Sequence, residues 1–307
     1  MSLNSVTTPA RGDPLREDIL IPSEGGECHA WWYPPKSGKR GPTIVIGHGL
    51  GGIKEMGLNR YAELFQRAGY GALAFDYVGF GQSTGKPRQI LDYWKQQGDW
   101  DHVLAYAKTM PLIDAYKIGI FGTSFGGAHV IDVAARDPDV VVAISQCPFT
   151  SGFASTLTTG FAVPFLGVLG IADTLFGWYR RVNVTVAGKP GQVALMNSHD
   201  AYSGYRSLLP AGVEGENSVA ASIALQIPLL FPGASAKKVK IPIHFSICGK
   251  DSVAPAAPTL KYAKQAAKGE IEYYEDFGHF SIYQGEQFDV VTAKQLDFLS
   301  RNLPLEA

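Results

Sequence analysis

The 307-residue sequence has little excess of charge of either sign. Lys and Arg total 27 and Asp and Glu total 28, which gives a formal net charge of −1. Nucleic acids and anionic membranes are bound mainly through an excess of basic side chains. The balanced composition therefore argues against nucleic acid as a partner. It favours a small-molecule substrate and leaves a homodimer open.

Cysteine is also scarce. Cys28, Cys147 and Cys248 are odd in number, far apart, and each lies in an apolar stretch typical of a strand. This pattern predicts buried free thiols in a reducing compartment rather than a disulfide framework. The first residues lack the apolar core of a signal peptide, so the expected location is cytoplasmic.

Charge is absent altogether from residues 140–172 and 217–236. A membrane span needs about 20 consecutive apolar residues. The first run contains a Ser/Thr-rich patch at 150–159, and two prolines interrupt the second. We therefore expect no membrane span and interpret both runs as buried or cleft-facing segments.

Strand-like and helix-like segments alternate up to residue 147 and again from residue 239, which predicts a mostly parallel central sheet flanked by helices. The alternation stops between them, and a structureless loop of that length is uncommon in a compact domain. The sequence thus predicts a discontinuous α/β domain (1–147 and 239–307) and a mainly helical cap (148–238) inserted after the sixth strand.

The most informative motif is Gly122-Thr123-Ser124-Phe125-Gly126, which follows an apolar strand and opens a helical segment. This is G-x-S-x-G in its required context, because glycines on both sides allow a sharp turn that exposes the serine oxygen. The pattern alone is also compatible with a glycine-rich turn that carries an incidental serine. In the required context it indicates that Ser124 is a nucleophile.

A nucleophilic serine needs a base and a group that orients the base. Asp251 and His279 each follow a late strand of the predicted sheet, and the chain order is Ser, Asp, His. Since the carboxyl ends of parallel strands meet at one edge of a sheet, all three should converge there. We therefore predict a Ser124-His279-Asp251 catalytic triad.

Acyl transfer also needs N–H donors directed at the developing oxyanion. The amide of Phe125, the residue after the nucleophile, is one expected donor. The other should come from the glycine-rich loop after the third strand, GHGLGG, with Leu50 preferred over Gly51. Backbone at Gly49 and Gly51 should approach the substrate closely.

The same loop fits the dinucleotide pattern G-x-G-x-x-G, and Asp76 ends the next strand. A nicotinamide oxidoreductase is therefore an alternative, although it leaves the three triad residues unexplained. No P-loop, C-x-x-C or H-E-x-x-H is present, so no cofactor and no metal are predicted.

Taken together, the segments GHGLGG, FDYVGFGQS, GIFGTSFGG, CGKDSVAP and FGHF resemble those of α/β-hydrolases. The chain is most similar to the dienelactone hydrolase and X-Pro dipeptidyl-peptidase-like branch, which includes fungal polyketide transferases. The resemblance implies an α/β-hydrolase fold and places the cap after the sixth strand, above the nucleophile.

The predicted function is a serine hydrolase that cleaves a carboxylic ester or thioester with an apolar acyl part. Two alternatives stay open: an acyltransferase that passes the acyl group to an alcohol or amine, and a non-catalytic ligand receptor on the same fold. The apolar parts of the charge-free runs are expected to line the acyl pocket. Phe161, Phe165 and Leu225 are the residues chosen from them for substrate binding, beside Gly49 and Gly51.

Overall fold

The computed structural model describes residues 16–213 and 215–305. The N-terminal residues on which the predicted cytoplasmic location rests lie outside this part. The three cysteines are all buried and free, as expected.

An eight-stranded sheet forms the centre of the molecule, in the order β1-β2-β4-β3-β5-β6-β10-β11. At one edge, β1 and β2 form an antiparallel hairpin, and β2 pairs antiparallel with β4. The other neighbouring strands of this sheet, from β4 to β11, pair in parallel. Its strands are β1 (Glu17–Ser23), β2 (Gly26–Tyr33), β3 (Gly41–Gly47), β4 (Gly71–Phe75), β5 (Ile113–Thr123), β6 (Val140–Gln146), β10 (Ile243–Cys248) and β11 (Gly269–Tyr274).

Helices cover both faces of this sheet and bury a separate apolar core on each side. One core contains side chains of α1 and α9, and the other contains side chains of α2, α3 and α8. These helices are α1 (Leu58–Arg67), α2 (Tyr93–Ala107), α3 (Phe125–Arg136), α8 (Ala256–Ala263) and α9 (Gly285–Asn302). Burial of both faces explains why β3, β4 and β6 contain consecutive apolar residues rather than an alternating pattern.

In its described residues, the segment between β6 and β10 contains four α-helices, two 3-10 helices and a separate three-stranded sheet in the order β8-β7-β9. The small sheet was not predicted, because two of its three strands have only three residues each and show no period. The elements are α4 (Gly152–Thr158), α5 (Ala162–Phe176), β7 (Asn183–Ala187), β8 (Ala194–Met196), α6 (Ala201–Ser207), β9 (Ser218–Ala220), α7 (Ile223–Gln226) and 3-10 helices at Ile227–Leu229 and Pro232–Lys238.

No single helix in the described residues is both long enough and apolar enough to cross a bilayer. The α4 and α5 helices reach the required length and composition only as a pair, and the chain bends by 118° between them.

A buried ion pair joins the loop after β3 to the loop after β4. The Lys54 ammonium lies 2.6 Å from Asp76 Oδ2, and both side chains are fully buried. Asp76 also accepts hydrogen bonds from the backbone amides of Lys54 and Gln82. A Cβ atom at Gly81 would lie 2.1 Å from the same carboxylate, so only glycine fits there. The pair therefore fixes the conformation of both loops.

We expect Lys54→Met to lower the free energy of unfolding by about 3–5 kcal/mol, because it leaves the Asp76 carboxylate buried without its cation. Urea unfolding followed by tryptophan fluorescence measures the loss. Lys294→Met is the control, since Lys294 pairs with Glu272 at an exposed site and its removal should cost at most about 1 kcal/mol. Equal losses in the two variants would contradict the assignment.

Candidate active site

Ser124 lies in a strained turn between β5 and α3. Its φ is 56° and its ψ is −118°, a conformation that non-glycine residues rarely adopt. Glycines on both sides make the turn sterically feasible. A Cβ atom at Gly122 would lie 2.1 Å from the carbonyl oxygen of Gly126, and one at Gly126 would lie 2.5 Å from that of His48. The turn therefore lies in close contact with the loop after β3.

Ser124, His279 and Asp251 form a hydrogen-bonded chain. Ser124 Oγ lies 3.0 Å from His279 Nε2, and His279 Nδ1 lies 2.7 Å from Asp251 Oδ2. Because a carboxylate only accepts, Nδ1 donates, and the neutral ring then accepts from the serine hydroxyl at Nε2. The other carboxylate oxygen accepts from the amides of Val253 and Ala254. The carboxylate is thus held on both oxygens.

The sheet brings these side chains together from distant parts of the chain. Asp251 follows β10 and His279 follows β11, and the two strands are parallel neighbours. The insertion supports the Asp251 loop, because Ser252 Oγ donates to Asp200 Oδ1 over 2.6 Å. The structure therefore brings all three predicted triad residues to one sheet edge.

The loop after β3 runs directly beside the nucleophile. A Cβ atom at Gly49 would lie 3.1 Å from Ser124 Cβ. The loop makes a tight turn in which the Gly52 amide donates to the Gly49 carbonyl, and Gly51 has a φ of 59° that suits glycine. Leu50 lines the same cavity as Ser124 and Phe125. Phe125 is the first residue of α3, so its amide has no acceptor within the helix.

Tyr205 of α6 anchors this loop from the insertion. Its buried hydroxyl donates a hydrogen bond of 2.7 Å to the carbonyl oxygen of Gly51. A Cβ atom at Gly51 would lie 2.7 Å from a methyl carbon of Val186 in β7. Gly51 therefore packs against the insertion and does not face the main cavity, in contrast to the prediction for this residue. The sequence contained no motif that could have identified Tyr205.

A cavity of ≈ 250 Å³ opens above Ser124. Its walls are almost entirely apolar and come from both the central domain and the insertion, with Ser155, Thr156 and Thr159 as the polar exceptions besides Ser124. The apolar lining includes Phe125, Phe149, Val163, Leu166, Leu195, Met196, Leu225, Ile227 and Val253. This space suits an apolar chain that ends at the serine.

A second, smaller cavity of ≈ 40 Å³ also borders the nucleophile. His48, Gly49, Tyr205 and His279 are among the residues that line it. A space of this size can hold water, since one water needs roughly 10–15 Å³ by the same measure. Ser124 thus borders two cavities of unequal volume.

Two of the four remaining predicted substrate-binding residues line these cavities. Leu225 lines the larger cavity and Gly49 the smaller one. Phe161 and Phe165 are 53% and 56% exposed and line neither, so their prediction as pocket residues was wrong. Val163, Leu166 and Gly167 of the same helix line the pocket instead. The α5 helix is apolar on all sides, so its pattern could not show which face turns inward.

Three other histidines of the central domain are buried. Burial lowers the pKa of His48 and His129 and lowers that of His244 to about 4, so each ring stays neutral near pH 7. The His129 ring nitrogens lie within hydrogen-bond distance of Gln96 and Gln97. The structure also argues against a dinucleotide site at this loop. Asp76, the acidic residue of that pattern, has its carboxylate buried against Lys54.

Comparison with known proteins identifies the family. A hydrolase family model described as serine aminopeptidase, S33 matches residues 38–187. The quorum-quenching protein AidA of Acinetobacter baumannii is 42% identical over 294 residues, which cover 94% of this chain and 96% of that protein. The chain belongs to the α/β-hydrolase family. This assignment confirms the predicted fold and the prediction of an enzyme.

More distant α/β-hydrolases match over most of their length. Thiohydrolase AneE of Aspergillus aculeatus is 27% identical over 278 residues, which cover 84% of this chain and 85% of that protein. The crystal structure of the α/β-hydrolase GrgF from a Penicillium species superimposes with a TM-score of 0.80 at 22% identity, over 94% of this chain and 99% of that one.

Proposed function

We propose that this α/β-hydrolase is a serine hydrolase that cleaves carboxylic esters or thioesters with an apolar acyl part. The observation that carries the proposal is the hydrogen-bonded chain of Ser124, His279 and Asp251 at the base of an apolar cavity. Ser124 attacks the acyl carbonyl while His279 takes its proton and then protonates the leaving alcohol or thiol. Asp251 holds the imidazole in the required tautomer. Water, activated by His279, then hydrolyses the acyl-enzyme.

The amides of Phe125 and Leu50 stabilise the oxyanion in this mechanism. Both residues lie beside Ser124, and the contact of Gly49 with Ser124 brings the second amide close. One such donor contributes about 2.7–4 kcal/mol to the transition state.

The acyl part occupies the larger cavity, whose walls match an aliphatic or aromatic chain. The leaving group and later the water use the small cavity, which His279 lines. Acyl transfer is the second candidate, because relatives are named polyketide transferase and acyltransferase. Product analysis with an added alcohol separates them: acid as the main product supports hydrolysis, and a new ester supports transfer.

The name of the Acinetobacter relative bears on the natural substrate. A quorum-quenching protein interferes with bacterial signals. We therefore propose acyl-bearing signal molecules as candidate substrates to be assayed. A receptor without activity is not favoured, because the complete hydrogen-bonded chain would have no role in it.

Ser124→Ala should lower kcat by at least about 10⁴-fold, because the mutant lacks the nucleophile. The turnover of a p-nitrophenyl ester and labelling by a fluorophosphonate measure the effect. Ser155→Ala is the matched control, since Ser155 lines the same cavity without touching the triad. Labelling of the Ser124→Ala protein would refute the proposal.

Gly167→Leu should shorten the accepted acyl chain. A Cβ atom at Gly167 meets nothing within 4 Å, so the new side chain enters the cavity without strain. We expect kcat/KM for an octanoyl ester to fall roughly tenfold or more, with acetyl ester turnover retained. Gly98→Leu on α2, where a Cβ atom also meets nothing, is the control. Parallel losses on both esters would argue against this cavity as the acyl site.

Tyr205→Phe should lower kcat about tenfold with little change in KM, because the Gly51 carbonyl loses its anchor and the Leu50 amide loses its alignment. Affinity for a trifluoromethyl ketone, which forms the oxyanion, should fall in parallel, while affinity for the acid product stays constant. Tyr202→Phe on the same helix is the control. Equal loss of both affinities would indicate a general structural defect.

A further inference from the structure

Two hydroxyl groups of the acyl cavity have no hydrogen-bond partner among the described residues. Ser155 Oγ and Thr156 Oγ1 are buried and unbonded, and both residues line the larger cavity together with Ser124. A buried polar group that makes no hydrogen bond costs free energy, because it has lost its contact with water and gained nothing in return. A group that enters the cavity and bonds to these hydroxyls removes that cost.

Neighbouring hydroxyls of the same segment bond to the helix itself. Thr158 Oγ1 donates over 2.7 Å to the carbonyl oxygen of Ser155, and Thr159 Oγ1 donates over 2.7 Å to that of Thr156. A serine or threonine in a helix commonly bonds in this way to a carbonyl three or four residues back. Ser155 and Thr156 make no such bond, so their hydroxyls stay available at the cavity.

The rest of the cavity lining offers almost no side chain that could bond a polar group. Its other two hydroxyls belong to Ser124, which is bonded to His279, and to Thr159, which is bonded to the Thr156 carbonyl. The remaining lining residues are apolar or glycine. A polar substituent on a bound acyl chain therefore meets matching side chains at one place, where Ser155 and Thr156 are adjacent.

We propose that Ser155 and Thr156 bind an oxygen substituent, a hydroxyl or a keto group, carried partway along the acyl chain of the substrate. This inference rests on the proposed function and narrows its substrate class to oxygenated acyl chains. One oxygen atom has two lone pairs, so it can accept from both hydroxyls. A site that bonds such an oxygen rejects the analogue that lacks it, because the hydroxyls then stay buried and unpaired.

A series of acyl esters tests the proposal. The series consists of p-nitrophenyl octanoate and derivatives in which one hydroxyl or one keto oxygen is placed at successive carbons of the chain. We expect kcat/KM to be about tenfold higher for the best-placed oxygen than for the unsubstituted ester. The effect should be confined to one region of the chain, since the two hydroxyls occupy one place on the wall.

Thr156→Val removes one hydroxyl with little change of shape. The ratio of kcat/KM for the best oxygenated ester to that for the unsubstituted ester should fall about tenfold. Ser155→Ala should lower the same ratio. Thr158→Val is the matched control, because Thr158 is exposed and its hydroxyl bonds to its own helix, so it should keep the wild-type ratio. A general structural defect changes both esters alike and cancels in the ratio.

Binding of the free acids is a second measurement that needs no turnover. In the Ser124→Ala protein, isothermal titration should show about tenfold tighter binding of one oxygenated octanoic acid than of octanoic acid. Addition of Thr156→Val should remove the difference. A wild-type protein that cleaves no ester would refute the proposed function, whereas this preference in binding would still support the hydroxyl pair.

Three results would overturn the inference while leaving the serine hydrolase proposal standing. The first is equal kcat/KM and equal affinity across the whole series, which is also the result expected if water alone bonds the two hydroxyls. The second is a gain of the same size at every position of the oxygen. The third is a preference that survives Ser155→Ala and Thr156→Val together.

Discussion

The active site depends on one close approach of two backbone segments. The turn at Ser124 and the loop after β3 touch where Gly126 lies under the His48 carbonyl and Gly49 lies against Ser124. A Cβ atom would lie 2.5 Å from the His48 carbonyl oxygen at Gly126 and 3.1 Å from Ser124 Cβ at Gly49, so a side chain at either glycine would force the two segments apart. Since the proposed oxyanion donors lie on the two sides of this contact, their separation is set by it.

The surrounding structure holds this contact from two directions. Lys54 and Asp76 fix the loop after β3 from the core through a buried ion pair, and Tyr205 fixes Gly51 from the insertion. Such an ion pair is costly to bury and is retained where geometry matters, which fits its position beside the nucleophile. The insertion is therefore part of the active-site framework as well as a cover over it.

The central domain could be predicted from the sequence because its signals are local. The predicted strand ends locate Asp251 and His279. The glycines on either side of Ser124 predict the sharp turn that exposes it. The insertion could not be predicted to the same depth. Its strands β8 and β9 have only three residues each, and Tyr205 acts through a tertiary hydrogen bond that no spacing indicates.

The errors at Phe161 and Phe165 have a specific physical cause. An amphipathic helix shows its buried side by the contrast between apolar and polar faces, and α5 has no such contrast. Ala162, Leu166 and Gly170 on its inward side are buried, whereas Phe161, Phe165 and Val168 are equally apolar and more than half exposed. The absence of charge that marks this segment in the sequence therefore also hides the orientation of α5.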